Sequence, residues 1–239
     1  MTIAVIYGGK SGEHEVSLVS GAAVARNINK ENTVVLIGIT KSGIWYLQDK
    51  AEYERICKDA KAALAVIEKK ENMVSVVPGG KKGAFTVNGK PLSIDVVFPV
   101  LHGTFGEDGT VQGLFEMADI PYVGCTVLAS AITMDKEKTK MILDQAGIQT
   151  VPYICMKRAD LMNSVKYDEL FKHVIDTLGF PLFVKPCNAG SSDGASKATT
   201  EKELSVALMD AFNWDNKVLI EKAINAREIE CSVTGNSVT

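Results

Sequence analysis

The stretch of this sequence richest in chemistry is Phe183-Val-Lys185-Pro-Cys-Asn-Ala-Gly190-Ser-Ser-Asp-Gly194. A strand that ends in lysine and runs into a Gly/Ser loop gathers an ammonium, backbone N–H groups and hydroxyls in one place, as a polyphosphate requires. The same residues also suit a hairpin turn with an exposed lysine. Val218-Leu-Ile-Glu221-Lys222 ends another strand in a carboxylate able to accept from an adenine amino group, or simply to end a strand. Near the start of the chain, Glu13 and Glu15 stand just before or at the beginning of a predicted helix, where the helix dipole favours an anion. Beside a pocket, either would bind a substrate ammonium. His102 and the pair Glu107-Asp108 share a glycine-flanked loop. A lone histidine there is more often structural, and Asp108 suits a helix cap. His14 and His173 read as surface residues.

Other chemistries are excluded by what is missing. Gly8-Gly-Lys-Ser11 resembles the tail of a phosphate loop, but G-x-x-x-x-G-K-[ST] needs a glycine where Ala4 stands. No G-x-G-x-x-G follows the first strand, which argues against a nicotinamide dehydrogenase. A formal net charge of -3 offers no field for nucleic acid or an anionic membrane surface, so the expected partners are small molecules. The five cysteines are scattered and lack a C-x-x-C pair, which suggests reduced thiols in a cytosol. No apolar run reaches the roughly 18 residues of a membrane span, and Met1-Thr-Ile-Ala-Val-Ile leads into a strand rather than a signal peptide.

These residues need elements to hold them. Residues 3–7 read as a strand closed by Gly8-Gly9, followed by a helix over 16–28. Strands are predicted at 34–39, 45–47 and 74–77, and a helix over 51–68. Residues 85–94 straddle Asn88-Gly89, a type I′ hairpin signal. A buried strand at 96–100 delivers the His102 loop before a helix at 110–117, and loops at the carboxyl ends of such strands are where open α/β sheets bind ligands. Helices over 127–146 bridge to a second unit, with strands at 153–156, 182–185 and 218–221 and helices at 168–178 and 201–212. Residues 228–233 alternate like a strand, but one strand cannot bury a core alone, so they read as the start of a third domain. The expected domains are 1–126, 127–224 and 225–239.

In this order and spacing, the segments resemble the D-alanine:D-alanine ligases of the ATP-grasp superfamily. The resemblance rests on Gly8-Gly9 with Glu13-His14-Glu15-Val16-Ser17-Leu18, His102-Gly103 with Gly106-Glu-Asp-Gly109, and Met134-Asp-Lys136 with Lys140. It continues in Val184-Lys-Pro186 with Gly190-Ser-Ser192, in Leu219-Ile-Glu-Lys222 and in Arg227-Glu-Ile-Glu230, and runs from Met1 to Thr239. It implies an α/β fold: a Rossmann-like N-terminal domain, a small α+β ATP-grasp domain, and a C-terminal ATP-grasp domain cut short. The implied reaction is phosphoryl transfer from ATP to the carboxylate of one D-alanine, then attack by the amine of a second, in the cytoplasm, for peptidoglycan precursor synthesis.

The likeness also implies roles. Lys136 and Lys185 would bind the nucleotide phosphates, with Gly190, Ser191 and Ser192 closing over them. Glu221 would accept from the adenine amino group, Lys222 and Ile224 would present backbone groups to the ring, and Glu228 would bind the ribose. Glu15 would hold the ammonium of the first D-alanine, Ser191 would orient it, and His102 would lie near its carboxylate. ATP and Mg2+ (or Mn2+) are the implied cofactors, and a homodimer the implied assembly. Asp193 departs from the family, which has an apolar residue there; a carboxylate in a phosphate-covering loop implies a displaced loop or weakened nucleotide binding. The resemblance places the metal ligands and a catalytic arginine beyond the position matching Thr239. The chain as written is therefore expected not to catalyse ligation, with residues after about Ile224 poorly anchored. A D-alanine:D-serine or D-alanine:D-lactate ligase is the neighbouring alternative, and a non-catalytic ATP-binding module the alternative from another class.

Overall fold

A computed structural model describes residues 1–233 and 235. In the first unit, β1 (Thr2–Gly8) lies between β2 (Thr33–Ile39) and β7 (Val96–Val100) and is parallel to both, with β3 (Trp45–Leu47) antiparallel at the edge. The β-branched run of β1 is buried on both faces, as a central parallel strand must be. Ala4 and Ile6 join Ile37, Ile39, Val97, Phe85 and Phe115 on one side. Val5 and Tyr7 join Leu36, Ala22, Ala25, Ile56 and Leu64 on the other. Helices α1 (His14–Asn27) and α2 (Lys50–Lys58) contribute to the second of these cores.

A three-stranded sheet of β4 (Val74–Val76), β5 (Phe85–Val87) and β6 (Lys90–Pro91) adds to the first core. Its hairpin turns at Asn88 (φ 50°) and Gly89 (φ 73°), both left-handed, as the Asn-Gly signal predicts. The chain continues through α3 (Thr110–Ala118), α4 (Val127–Met134) and α5 (Lys136–Gln145).

The second unit is an antiparallel sheet in the order β10-β9-β11-β8, formed by β8 (Tyr153–Lys157), β9 (Leu182–Pro186), β10 (Ser196–Ala198) and β11 (Lys217–Lys222). Helices α6 (Ser164–Leu178) and α7 (Glu201–Trp214) cover one face, packing Val174, Leu178, Leu204, Leu208 and Phe212 against Met156, Val184, Val218 and Ile220. Side chains alternate along a strand. With Val184 and Ile220 facing those helices, Lys185, Lys217, Leu219 and Glu221 are left for the opposite face, and Leu219 pairs in register with Lys185.

Three expectations need correction. The helix predicted over 51–68 stops at Lys58. The chain then runs as a strap fastened by buried side chains: Glu52 Oε1 accepts from Ala65 N at 2.7 Å, Gln48 Oε1 accepts from Ile67 N at 2.9 Å, and Tyr7 Oη donates to Ala65 O at 2.6 Å. These bonds replace the helix ladder, while Leu64 fills the core. His14 is not a surface residue: it is 7% exposed, with Nδ1 2.7 Å from Gly9 O, so the glycine turn supplies its polar partner. The strand expected at 228–233 is not formed among the described residues. That stretch is exposed and pairs with no strand, and unpaired strand backbone gains nothing over solvated coil.

Candidate functional site

Charged groups converge on the face of the second sheet opposite α6 and α7. Glu221 is buried, with Lys185 Nζ 2.6 Å from one carboxylate oxygen and Lys140 Nζ 2.8 Å from the other. Burial opposes ionisation of Glu221, but the two ammonium groups prevail and hold its carboxyl below the usual range. Lys140 also donates to Val151 O at 3.1 Å. Lys136, at the first turn of α5, is half-buried and donates to Ala189 O at 2.6 Å. Burial pushes its ammonium below the ordinary lysine range.

Beside Lys136 and Lys185 lies the 190–194 loop. Ser191 (φ 47°) and Ser192 (φ 61°) take left-handed backbone, and Asp193 N and Ala195 N close tight turns onto Gly190 O and Ser192 O. Non-glycine residues held this way mark a built loop rather than a slack one. Lys136, Lys185, Ser191, Ser192 and Asp193 line a hollow of about 190 Å3. Ammonium groups, hydroxyls and turned backbone around such a hollow suit phosphate oxygens. Asp193 does not: it is half-buried, with Oδ2 3.2 Å from where a Cβ on Gly12 would sit.

The first unit brings a different carboxylate from the one expected. Glu13 accepts a hydrogen bond from Ser191 Oγ. Its other oxygen occupies the space that a Cβ on Gly103 or Gly190 would need, at 2.8 and 3.3 Å. Glu15 points elsewhere: it is 70% exposed and paired with Lys41 at 2.8 Å, and that hydrogen bond holds its carboxyl below the usual range. The difference is where α1 begins. Glu13 is the residue before the first helical one and faces the loops, whereas Glu15 is already on the outer face with exposed Val16 and Val19.

His102 places Nε2 2.8 Å from Ser20 Oγ, and its carbonyl accepts from Ser11 Oγ at 2.6 Å. Glu107 accepts from Gly103 N at 2.8 Å. Asp108 accepts from Phe105 N and Thr110 N, so it holds the first N–H of α3 from one residue before the capping position, which is Gly109. A larger cavity of about 700 Å3 beside His102 is lined chiefly by apolar side chains, among them Trp45, Leu101, Phe105, Leu114 and Met117. The converged lysines and carboxylates stand outside it, so volume alone does not mark the chemistry here.

Lys222 is exposed at the end of β11, with its backbone N–H given to Pro152 O. Ile224 and Glu228 are exposed in the irregular segment that follows, and no side-chain hydrogen bond or ion pair holds Glu228 among the described residues. No group of three or more His, Cys, Asp or Glu able to hold a metal ion exists among the described residues. Sequence reasoning gave Lys140 no role, and offered Glu13 one only as an alternative to Glu15. Lys140 follows Lys136 by four positions, the spacing of one helix face, which is a usable signal. Glu13 could be told from Glu15 only by knowing the residue at which the helix starts.

Residues 2–125 match the family model described as D-ala D-ala ligase N-terminus, and residues 142–239 match D-ala D-ala ligase C-terminus. A D-alanine–D-alanine ligase of Treponema denticola is 52% identical over 241 residues, covering 100% of this chain and 65% of that protein. The VanG D-Ala:D-Ser ligase of Enterococcus faecalis superposes with a TM-score of 0.78 at 40% identity, over 94% of this chain and 63% of that one. The D-alanine-D-alanine ligase from Coxiella burnetii gives a TM-score of 0.78 at 30% identity, over 95% and 65%. The chain thus spans less than two thirds of the length of these relatives.

Proposed function

This chain belongs to the D-alanine–D-alanine ligase family, and from that premise we propose that it provides the amino-acid site and one side of the nucleotide site of an ATP-dependent ligase. The reaction would join two D-alanines. The observation that carries this reading is the contact of Glu13 with Ser191. It sets a carboxylate able to bind an ammonium beside a loop suited to phosphate, and a bare nucleotide binder has no use for that carboxylate.

In the proposed reaction a carboxylate oxygen of the first D-alanine attacks the γ-phosphorus of ATP, and ADP leaves. The amine of the second D-alanine then attacks the acyl carbon, loses a proton, and expels phosphate. Negative groups must be brought together for the first step, so Lys136 and Lys185 neutralise phosphate charge, with Gly190 to Ser192 covering it. Lys185 gives up part of its pairing with Glu221 when phosphate arrives. Glu221, still held by Lys140, accepts from the adenine amino group, while Lys222 and Ile224 offer backbone groups and Glu228 the ribose contact. Glu13 takes the ammonium role that the resemblance assigned to Glu15. Ser191 orients Glu13, and His102 stands near the D-alanine carboxylate. The acyl phosphate must survive in water until the amine arrives, so alignment, able to contribute roughly 7–11 kcal/mol, and exclusion of solvent do most of the catalysis. Magnesium belongs to ATP chemistry of this kind. A cytoplasmic homodimer feeding peptidoglycan precursor synthesis completes the reading.

The 40% identity to a D-Ala:D-Ser ligase supports a second reading in which D-serine is the acceptor. ADP release by the full-length protein with magnesium and ATP separates them. D-alanine alone should stimulate release; a further increase only on adding D-serine would favour the second reading, and no amino-acid dependence would overturn both.

A further inference from the structure

Lys217 opens β11 on the sheet face that carries Lys185 and Glu221. Its ammonium nitrogen lies 2.6 Å from Asp135 Oδ2 and 2.6 Å from Glu137 Oε2, and the three side chains are 16%, 16% and 18% exposed. Burial pushes the Lys217 ammonium down, but the two carboxylates more than offset it and raise it above the ordinary lysine range. Burial opposes ionisation of Asp135 and Glu137, but Lys217 holds both below the carboxylate range, helped by backbone N–H groups at Asp135 and by Lys138 at Glu137.

The two carboxylates flank Lys136 in the chain. Asp135 caps α5, accepting from Lys138 N at 3.1 Å, and Glu137 is the second helical residue. Bridging both fixes the rotation of that first turn about its axis, and with it the direction of the residue between them. A second connection runs through the backbone. Lys217 O accepts from Cys187 N at 2.9 Å, Cys187 O accepts from Lys136 N at 3.1 Å, and Lys136 Nζ donates to Ala189 O at 2.6 Å. Asp215 holds the same segment by accepting from Asn188 N and Nδ2 at 2.8 and 2.9 Å. Neither Lys217 nor its carboxylate partners line the phosphate-sized hollow.

We infer that Lys217 is a positioning residue that clamps Asp135 and Glu137 on either side of Lys136 and so aims the Lys136 ammonium at the Ser191 loop. The clamp stands on geometry alone; its consequence for nucleotide binding rests on the proposed function.

Hydrogen exchange at single-residue resolution, on the full-length protein, tests the clamp. The amides of Lys136, Lys138 and Cys187 report on it because their acceptors are Cys187, Asp135 and Lys217. Lys217→Met should speed exchange at 136–139 and 187–189 by about tenfold, since it leaves two facing carboxylates with only the exposed Lys138 ammonium, 3.4 Å from Glu137, to offset them. Lys217→Arg should restore protection, and α7 and β1 should not change. Unaltered exchange at 136–139, or an equal rise in α7, overturns the clamp. Should Lys217→Met not fold, the isosteric double change Asp135→Asn with Glu137→Gln asks the same question. ATP affinity is the second readout: it should fall about tenfold in Lys217→Met with D-alanine affinity unmoved. Loosened amides with unchanged ATP affinity would overturn the aiming role. An unaltered protein that binds no ATP would instead sink the proposed function, leaving exchange to decide the clamp.

Discussion

Glu13 and Glu15 are two residues apart and carry the same group, yet only Glu13 faces the loops of the candidate site. Glu13 touches Ser191 beside Gly103, while Glu15 spends its charge on Lys41 in solvent. A hydrogen bond to a charged group contributes about 1.5–3 kcal/mol, so Glu13→Gln should weaken D-alanine binding roughly 10- to 100-fold in KM for the first site, and Glu15→Gln should not. Kinetics showing the reverse order would return the role to Glu15. Glu221 yields a pH prediction. Its carboxyl lies below the ordinary 4.5, so its contribution is present above that value and lost as pH falls through the lower folded-state value. Asp135 and Glu137 act with the same sign. Melting temperature should therefore drop on the acid side of about pH 4.5. Glu221→Gln should lower it at neutral pH, where Lys140 and Lys185 then face each other unpaired, and flatten the acid drop; parallel curves for the two proteins would refute this account.

At the scale of elements, α1 shows two effects of opposite sign at one position. Gly21 sits mid-helix, where alanine would favour helix by about 1 kcal/mol. A Cβ there would meet Tyr7 Cβ at 2.9 Å and Leu64 Cδ1 at 3.3 Å, and both neighbours are buried in the core. Overpacking typically costs about 1–3 kcal/mol, so Gly21→Ala should destabilise, seen as a lower urea midpoint; a higher midpoint would mean the helix shifts freely. The elements most legible in the sequence were those set by short-range pattern. The strand at 45–47 and the turn at Asn88-Gly89 follow from β-branched or aromatic runs and from left-handed backbone, which are local facts. The strap after Lys58 was illegible because its backbone partners are the side chains of Gln48, Glu52 and Tyr7, brought near by folding. The site divides the same way. The lysine-to-loop pattern at 185–192 can be read directly, whereas the pairing of Lys140 with Glu221 and of Lys217 with Asp135 needs three dimensions.

Across the whole molecule, two separately cored units meet through loops rather than through packed apolar faces at the candidate site. The turn after β1 and the His102 loop approach the 190–194 loop at Gly12, Glu13, Gly103 and Gly190, where missing Cβ atoms let carboxylates come close. Asp193 is the discordant member of that meeting. It lines the hollow with Lys136 and Lys185 and lies against Gly12, so it joins the units at this loop while opposing an anion there. One unit charge about 8 Å from another at an effective dielectric of about 20–40 is worth roughly 1–2 kcal/mol. Asp193→Asn should accordingly tighten ATP binding by about tenfold in titration calorimetry, with the gain shrinking as salt is raised. Unchanged affinity would mean that the carboxylate leaves the hollow when nucleotide enters. In that event the Gly12 contact must break, and Asp193 would report on the arrangement of the two units rather than on the strength with which phosphate is held.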